Sequence, residues 1–210
     1  LGRRERRRAE TRERLMRCAL GLFAERGIAS TTVEDITEAA DVGKGTFFNY
    51  FPTKEHILLA FGDSRVGKVE SALAEARVGQ KPIRDILRRM VHGLAEEHAR
   101  VPGLLRSILI AFLTSDSVRQ HMAAKIAQAR RLIAELVRMG QKRGELRADL
   151  SAAHVARVFQ QAGFGTMVLW SLDPQGDLFG WQDAWLEMIL SGIEPGELRA
   201  PRRAHRRPRS

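Results

Sequence analysis

The chain is 210 residues long, 44% hydrophobic, and carries a formal net charge of +10. That length holds one large domain or two small ones around a sizeable core, and its longest apolar runs, 57–61 and 108–113, fall far short of the roughly 18 residues that span a bilayer. One cysteine, Cys18, excludes an internal disulfide, and an Arg run stands where a secretion signal would, so a cytoplasmic protein is expected.

The charge sits at the ends. Residues 1 to 14 carry seven arginines against three glutamates, and residues 195 to 210 carry six against one, which leaves the body close to neutral. Two cationic ends on a neutral body suit a polyanion partner, because each neutralised phosphate releases counterions; solvated, disordered tails are the alternative. On this basis 1–10 is expected to be a basic disordered arm and 195–210 a basic disordered tail.

Between these ends apolar residues recur at spacings of three and four, no alternating strand pattern persists, and the predicted fold class is all-α. The first helix sets Leu15, Cys18, Ala19, Leu22 and Phe23 on one stripe and stops at Gly27. Thr31 or Thr32 can cap a short second helix, with Glu34 or Asp35 completing a capping box, and that helix can run to about Ala40. After the Asp41-Val42-Gly43 interruption a third helical segment covers 44–51 until Pro52, and Thr53 caps a fourth beginning at Lys54. Longer helices are predicted over roughly 68–76, 83–100, 103–113, 118–143, 152–172 and 181–193, separated by Pro82, Pro102, Gly144 and the loop 173–177.

Two short helices joined by a tight turn, the second presenting small and polar residues, match a helix-turn-helix, whose second helix enters the major groove. The residues Thr11-Arg12-Glu13-Arg14, Leu22-Phe23-Ala24-Glu25-Arg26-Gly27, Thr32-Val33, Ile36, Ala39-Ala40 and the run 42–55 (VGKGTFFNYFPTKE) strongly resemble the amino-terminal domain of the TetR family of transcriptional regulators. The resemblance covers about 11–62. It implies a DNA-binding domain there and a helical ligand-binding and dimerisation domain over 63–194. It further implies that Lys44, Gly45, Thr46, Phe48 and Asn49 face the groove and that Thr32, Tyr50 and Lys54 contact phosphates.

The residue chemistry is compatible with this division. Gly45 allows close backbone approach, Thr46 and Asn49 can hydrogen-bond base edges, and Lys44 can reach a guanine edge or a phosphate. Thr32 and Lys54 lie at helix starts, where free N–H groups favour phosphate oxygens. Phe47 and Phe51, four residues apart, are expected in the core; Phe48 and Tyr50 could pack there too. Two positions depart from the family pattern. Gly43 stands where Ser is frequent, which removes a side-chain cap, and Glu34 stands where Arg is frequent, which would repel phosphates. Because 15–62 is not a basic surface, the Arg3 to Arg8 arm is expected to supply long-range attraction along the backbone or in the minor groove.

In the larger half, Val155, Val158, Phe159, Phe164, Met167, Leu169 and Trp170 are spread too widely for one stripe, and Trp181, Trp185, Met188 and Ile193 follow. The resemblance implies that these last two helices pair with their twins in a homodimer. Met90, Leu94, Leu105, Ile108, Leu109, Phe112, Met122 and Ile126 are candidates for an effector pocket or for ordinary core. His92, Glu96, His98 and His121 are read as surface or capping residues, and no metal site, cofactor or catalytic motif is expected. The leading reading is a ligand-responsive homodimeric repressor that binds double-stranded DNA at a palindromic operator and takes a small hydrophobic or amphipathic effector, with no membrane partner. The alternatives are a DNA-binding regulator without an effector and a helical protein-interaction module.

Overall fold

A computed structural model describes residues 2–101 and 103–195. Among these the chain forms nine α-helices and no strand: α1 (Arg3–Arg26), α2 (Val33–Ala39), α3 (Lys44–Phe48), α4 (Glu55–Val78), α5 (Ile83–Arg100), α6 (Leu104–Thr114), α7 (Asp116–Lys142), α8 (Ala152–Leu172) and α9 (Leu178–Ile193). No described helix is long and apolar enough to cross a membrane.

The amino-terminal core joins Leu15, Ala19 and Phe23 of α1 to Ile36, Ala40, Phe47 and Phe51, and then to Ile57, Leu58 and Phe61 of α4. Leu104, Ile108 and Ala111 of α6 belong to the same cluster, so this small domain is seated directly on α6. A second core packs the rest of α4 against α5, α7, α8 and α9, with Leu87, Leu136, Ala156 and Leu186 fully enclosed. Gly27 (φ +84) ends α1 and Gly79 (φ +80) ends α4 in conformations that a Cβ disfavours.

Three elements differ from expectation. The expected disordered arm over 1–10 is helical from Arg3: Arg and Glu are good helix formers, an already folded helix extends at little cost, and the Gly2 backbone N–H is held by Glu5 Oε2 at 3.1 Å. The fourth helix and the predicted 68–76 segment are one 24-residue helix, so the expected domain boundary at 62/63 falls inside α4. Gly62 and Gly67 each cost a helix interior about 0.5–1 kcal/mol, but packing along α7 outweighs this: a Cβ at Gly62 would lie 3.0 Å from Met122 Sδ. Thr53 does not cap α4 through the backbone; its hydroxyl bonds Glu55 Oε2 at 2.7 Å and His56 Nδ1 at 3.0 Å. The tail 196–210 lies outside the described residues.

Candidate functional site

The reading head is built from the turn outward. Thr32 caps α2 by accepting from Asp35 N–H at 3.1 Å, while the Thr32 N–H donates to Asp35 Oδ2 at 2.7 Å, closing the capping box. Hydrogen bonds from Thr32, with Arg26 at 2.8 Å adding to them, hold the Asp35 carboxyl below its usual range. The chain then reverses at Asp41, whose positive φ of 51° is one that a short polar side chain tolerates. The Val42 N–H returns to Thr37 O at 3.0 Å, and α3 begins after Gly43, which provides no side-chain cap.

Phe47 and Phe51 are buried as expected, their rings 5.9 Å apart, and they fasten α3 to α1. Helical geometry then sends Gly45, Phe48 and Asn49 to the opposite side and leaves Lys44 at the open start of the helix. All four are exposed, Thr46 is half-buried at their edge, and Phe48 remains 53% exposed although it is large and apolar. Regular helix ends at Phe48, earlier than the expected 51, because Pro52 disfavours helical geometry in the residue before it.

The phosphate candidates occupy three different settings. Thr32 is exposed at the start of α2. Tyr50 is half-buried beneath Arg8, whose guanidinium lies 6.0 Å from the ring centre, and Arg12 stands 5.3 Å from the Phe51 ring. Lys54 is half-buried and its ammonium is committed: it donates to the carbonyls of Ile28 and Thr31, each at 2.7 Å, and approaches that of Ala29 at 3.4 Å. Lys54 thus ties the α1–α2 loop to the start of α4. Lys44 forms an ion pair with Glu34, which holds the Glu34 carboxyl below its usual range through their hydrogen bond. The Arg8 and Arg12 placement was missed because a charge run was read as coil; their spacing of four on good helix formers was the available signal.

Behind this head lies a cavity of about 330 Å³ among α4 to α9. Leu94, Leu105, Ile108, Met122 and Ile126 line it as expected, whereas Met90, Leu109 and Phe112 do not. Met90 is buried in the second core and Leu109 packs beside Trp170 and Leu178. Sequence reading missed Arg65 on the wall and took His98 for a surface or capping residue; His98 lines the cavity and is only 2% exposed. Burial first, then the charges of Arg65 and Lys68, push its pKa down to about 3. His92 is half-buried, its Nε2 3.0 Å from Asp183.

The cavity and the reading head share α6. Leu105 and Ile108 face the cavity, while Ser107 Oγ donates to the Phe23 carbonyl near the end of α1. At the start of α6 a Cβ on Gly103 would lie 2.5 Å from the Ala24 carbonyl oxygen, so the two helices touch backbone to backbone.

Comparison with known proteins places both halves. Residues 15–61 match the family model for bacterial regulatory proteins of the tetR family, and residues 66–192 match that for the C-terminal domain of TetR/AcrR family transcriptional repressors. Among curated relatives, the repressor KstR of Mycobacterium tuberculosis is 24% identical over 77% of this chain and 71% of its own. The regulator TcmR of Streptomyces glaucescens is 29% identical over 92% of this chain and 87% of its own. Among solved structures, the TetR-family repressor FadR of Thermus thermophilus, in complex with lauroyl-CoA, is 32% identical, covers 90% of this chain and 98% of that one, and superposes with a TM-score of 0.63. SmeT, repressor of a Stenotrophomonas maltophilia multidrug efflux pump, shares the fold at 22% identity and a TM-score of 0.68, over 90% of this chain and 93% of that one. The chain belongs to the TetR family, as a DNA-binding transcriptional repressor with the family's helix-turn-helix and carboxy-terminal helical domain.

Proposed function

We propose that two copies of this chain bind a palindromic operator in the cytoplasm and are released from it by a small hydrophobic or amphipathic effector held in the cavity. The observation that carries this reading is the double attachment of α6: one side lines the cavity, and the other is bonded to α1 of the reading head. A ligand that displaces Leu105 or Ile108 moves α1 with α6, and in a dimer this changes the separation of the two recognition helices from the spacing of two half-sites. A cavity rather than a closed core in this region favours an effector over a regulator without one.

Pairing through α8 and α9 is supported by what a single chain leaves uncovered. Val158, Leu169, Leu172 and Met188 are each more than half exposed, and apolar surface of this kind marks an interaction face. On DNA, Lys44, Gly45, Thr46, Phe48 and Asn49 form the base-facing set, and Thr32 and Tyr50 the phosphate-facing one. Lys54 would have to surrender its carbonyls to reach a phosphate, so its contribution is to hold the loop that presents Thr32. Arg8 and Arg12 extend the cationic surface beside Tyr50 as a rigid helix rather than as an arm.

Selection of bound duplexes from a random pool tests the reading. Enrichment of a palindrome whose half-sites lie about one helical turn apart or a multiple of it is expected; enrichment of a single half-site or of nothing would count against the dimeric operator complex.

A further inference from the structure

The cavity wall is apolar except for one sign of charge. Arg65, Lys125 and Arg130 line it, no Asp or Glu does, and the remaining polar lining is His98 and glutamines. Lys125 is compensated by Asp63 at 2.7 Å. Arg65 has no carboxylate within ion-pair distance among the described residues. Its Nη1 donates to the Leu94 carbonyl at 2.8 Å and faces His98 Nε2 at 3.3 Å, and the partner of its Nη2 is the Met167 sulfur at 3.9 Å, a weak acceptor. The nearby carboxylate that acts on Arg65, Glu97, is bonded to Lys68 at 3.1 Å. With Arg65, Lys68 and Arg130 positive and His98 neutral, Glu97 answers one of the three and no carboxylate pairs with Arg130 among the described residues, so positive charge is left without a counterion at the cavity.

The histidine sharpens the imbalance. A guanidinium only donates, so His98 Nε2 accepts from it and the ring proton sits on Nδ1, which is buried with no partner. Beside the cavity Arg65 Nη2 and His98 Nδ1 can thus donate with too little to donate to, while behind them Glu97 Oε2 is buried without a donor, and the burial that lowers the Arg65 pKa to about 10 still leaves it charged at neutral pH. Polar groups left in this condition are costly unless something satisfies them.

We infer that the effector is an amphipathic organic anion, with a carboxylate head seated against the Arg65 guanidinium and an apolar body lying along Val69, Ile108, Ile133 and Phe159. The planar fork of Arg65 suits a carboxylate, which can accept from Nη2 without displacing the bond to Leu94. A volume of about 330 Å³ is near the lower end of ligand cavities, which run from roughly 300 to 1,000 Å³, so the body is of modest length. This rests on the reading of the cavity as an effector site.

The test is calorimetric titration of the full-length protein with three probes sharing a ten-carbon body below their micellar concentrations: decanoate, decanol and decylammonium. Decanoate is expected to bind about tenfold or more tightly than decanol, with decylammonium weakest, as for a hydrogen-bonded charge pair. Arg65→Met should erase that preference while leaving decanol within about twofold, and Arg65→Lys, which keeps the charge but not the fork, should fall between; unfolding of either is monitored by its melting transition. Decanol or decylammonium binding as tightly as decanoate overturns the anion inference and leaves a cavity-bound effector standing. A preference that survives Arg65→Met overturns the assignment of the head to Arg65. Binding of no probe also overturns the inference, and leaves DNA binding to be judged by the pool selection.

Discussion

Lys44 and Glu34 pair across the turn of the helix-turn-helix, so the first residue of α3 stands with its charge already compensated. Both side chains are more than half exposed, where ion pairs add little to stability. Glu34→Gln is therefore expected to leave the melting temperature nearly unchanged while tightening DNA binding several-fold and steepening its salt dependence by about one counterion. The pair also sets a pH sense. Because the folded Glu34 pKa is depressed, the interaction is present above the ordinary carboxylate range and is lost as pH falls through the lowered value, so below it wild type and Glu34→Gln should converge. Binding titrations at several salt concentrations check both points.

Gly45 has open space where a Cβ would stand. Gly45→Ala should raise stability by about 0.5–1 kcal/mol through helix propensity and yet weaken binding to the selected operator, because the added methyl occupies the space the groove needs. Denaturant melts beside binding curves separate the two effects. A variant that is stabilised and binds as wild type would remove Gly45 from the interface.

Lys54 holds the loop before α2 through its ammonium. Lys54→Ala leaves the Ile28 and Thr31 carbonyls without their ammonium donor and is expected to cost about 1–2 kcal/mol in a chemical melt. If Lys54 serves only to hold the loop, operator affinity falls while the salt slope stays as it is; a slope reduced by about one would show a direct phosphate contact.

At Gly103 the neighbour of any added Cβ is backbone, the Ala24 carbonyl oxygen at 2.5 Å, which no rotamer change can relieve. Gly103→Ala should destabilise by about 1–3 kcal/mol and, by wedging α6 from α1, weaken operator binding beyond that loss of folded protein. Comparison with Ser107→Ala, which removes the bond to Phe23 without adding bulk, distinguishes wedging from simple loosening.

Much of this was legible in the residues. Breakers flank α5 and α8, which begin and end where predicted, at Ile83 and Arg100 and at Ala152 and Leu172. The buried side of α3 was legible because Phe47 and Phe51 are apolar and four residues apart, and this decides which residues remain outside. What failed was tertiary. Nothing local in Gly62 to Gly67 reveals that α7 lies alongside and keeps α4 continuous. Arg65 and His98 are 33 positions apart, and only the packing of α4 on α5 makes them one polar centre. The bonds from Lys54 to a loop more than twenty residues earlier were equally out of reach of local reading. The arm erred for another reason: charge density was taken for disorder in a segment whose residues favour helix once α1 has nucleated.

The most direct test of the central claim is titration of the pool-selected duplex against a scrambled duplex of equal length, at two salt concentrations. A sequence-specific repressor predicts binding at least about a thousandfold tighter to the selected duplex, with a palindrome bound as two chains. Equal affinity for both duplexes, differing only through a steep salt slope, would mean that the arginine-rich ends bind phosphate nonspecifically and would contradict the account.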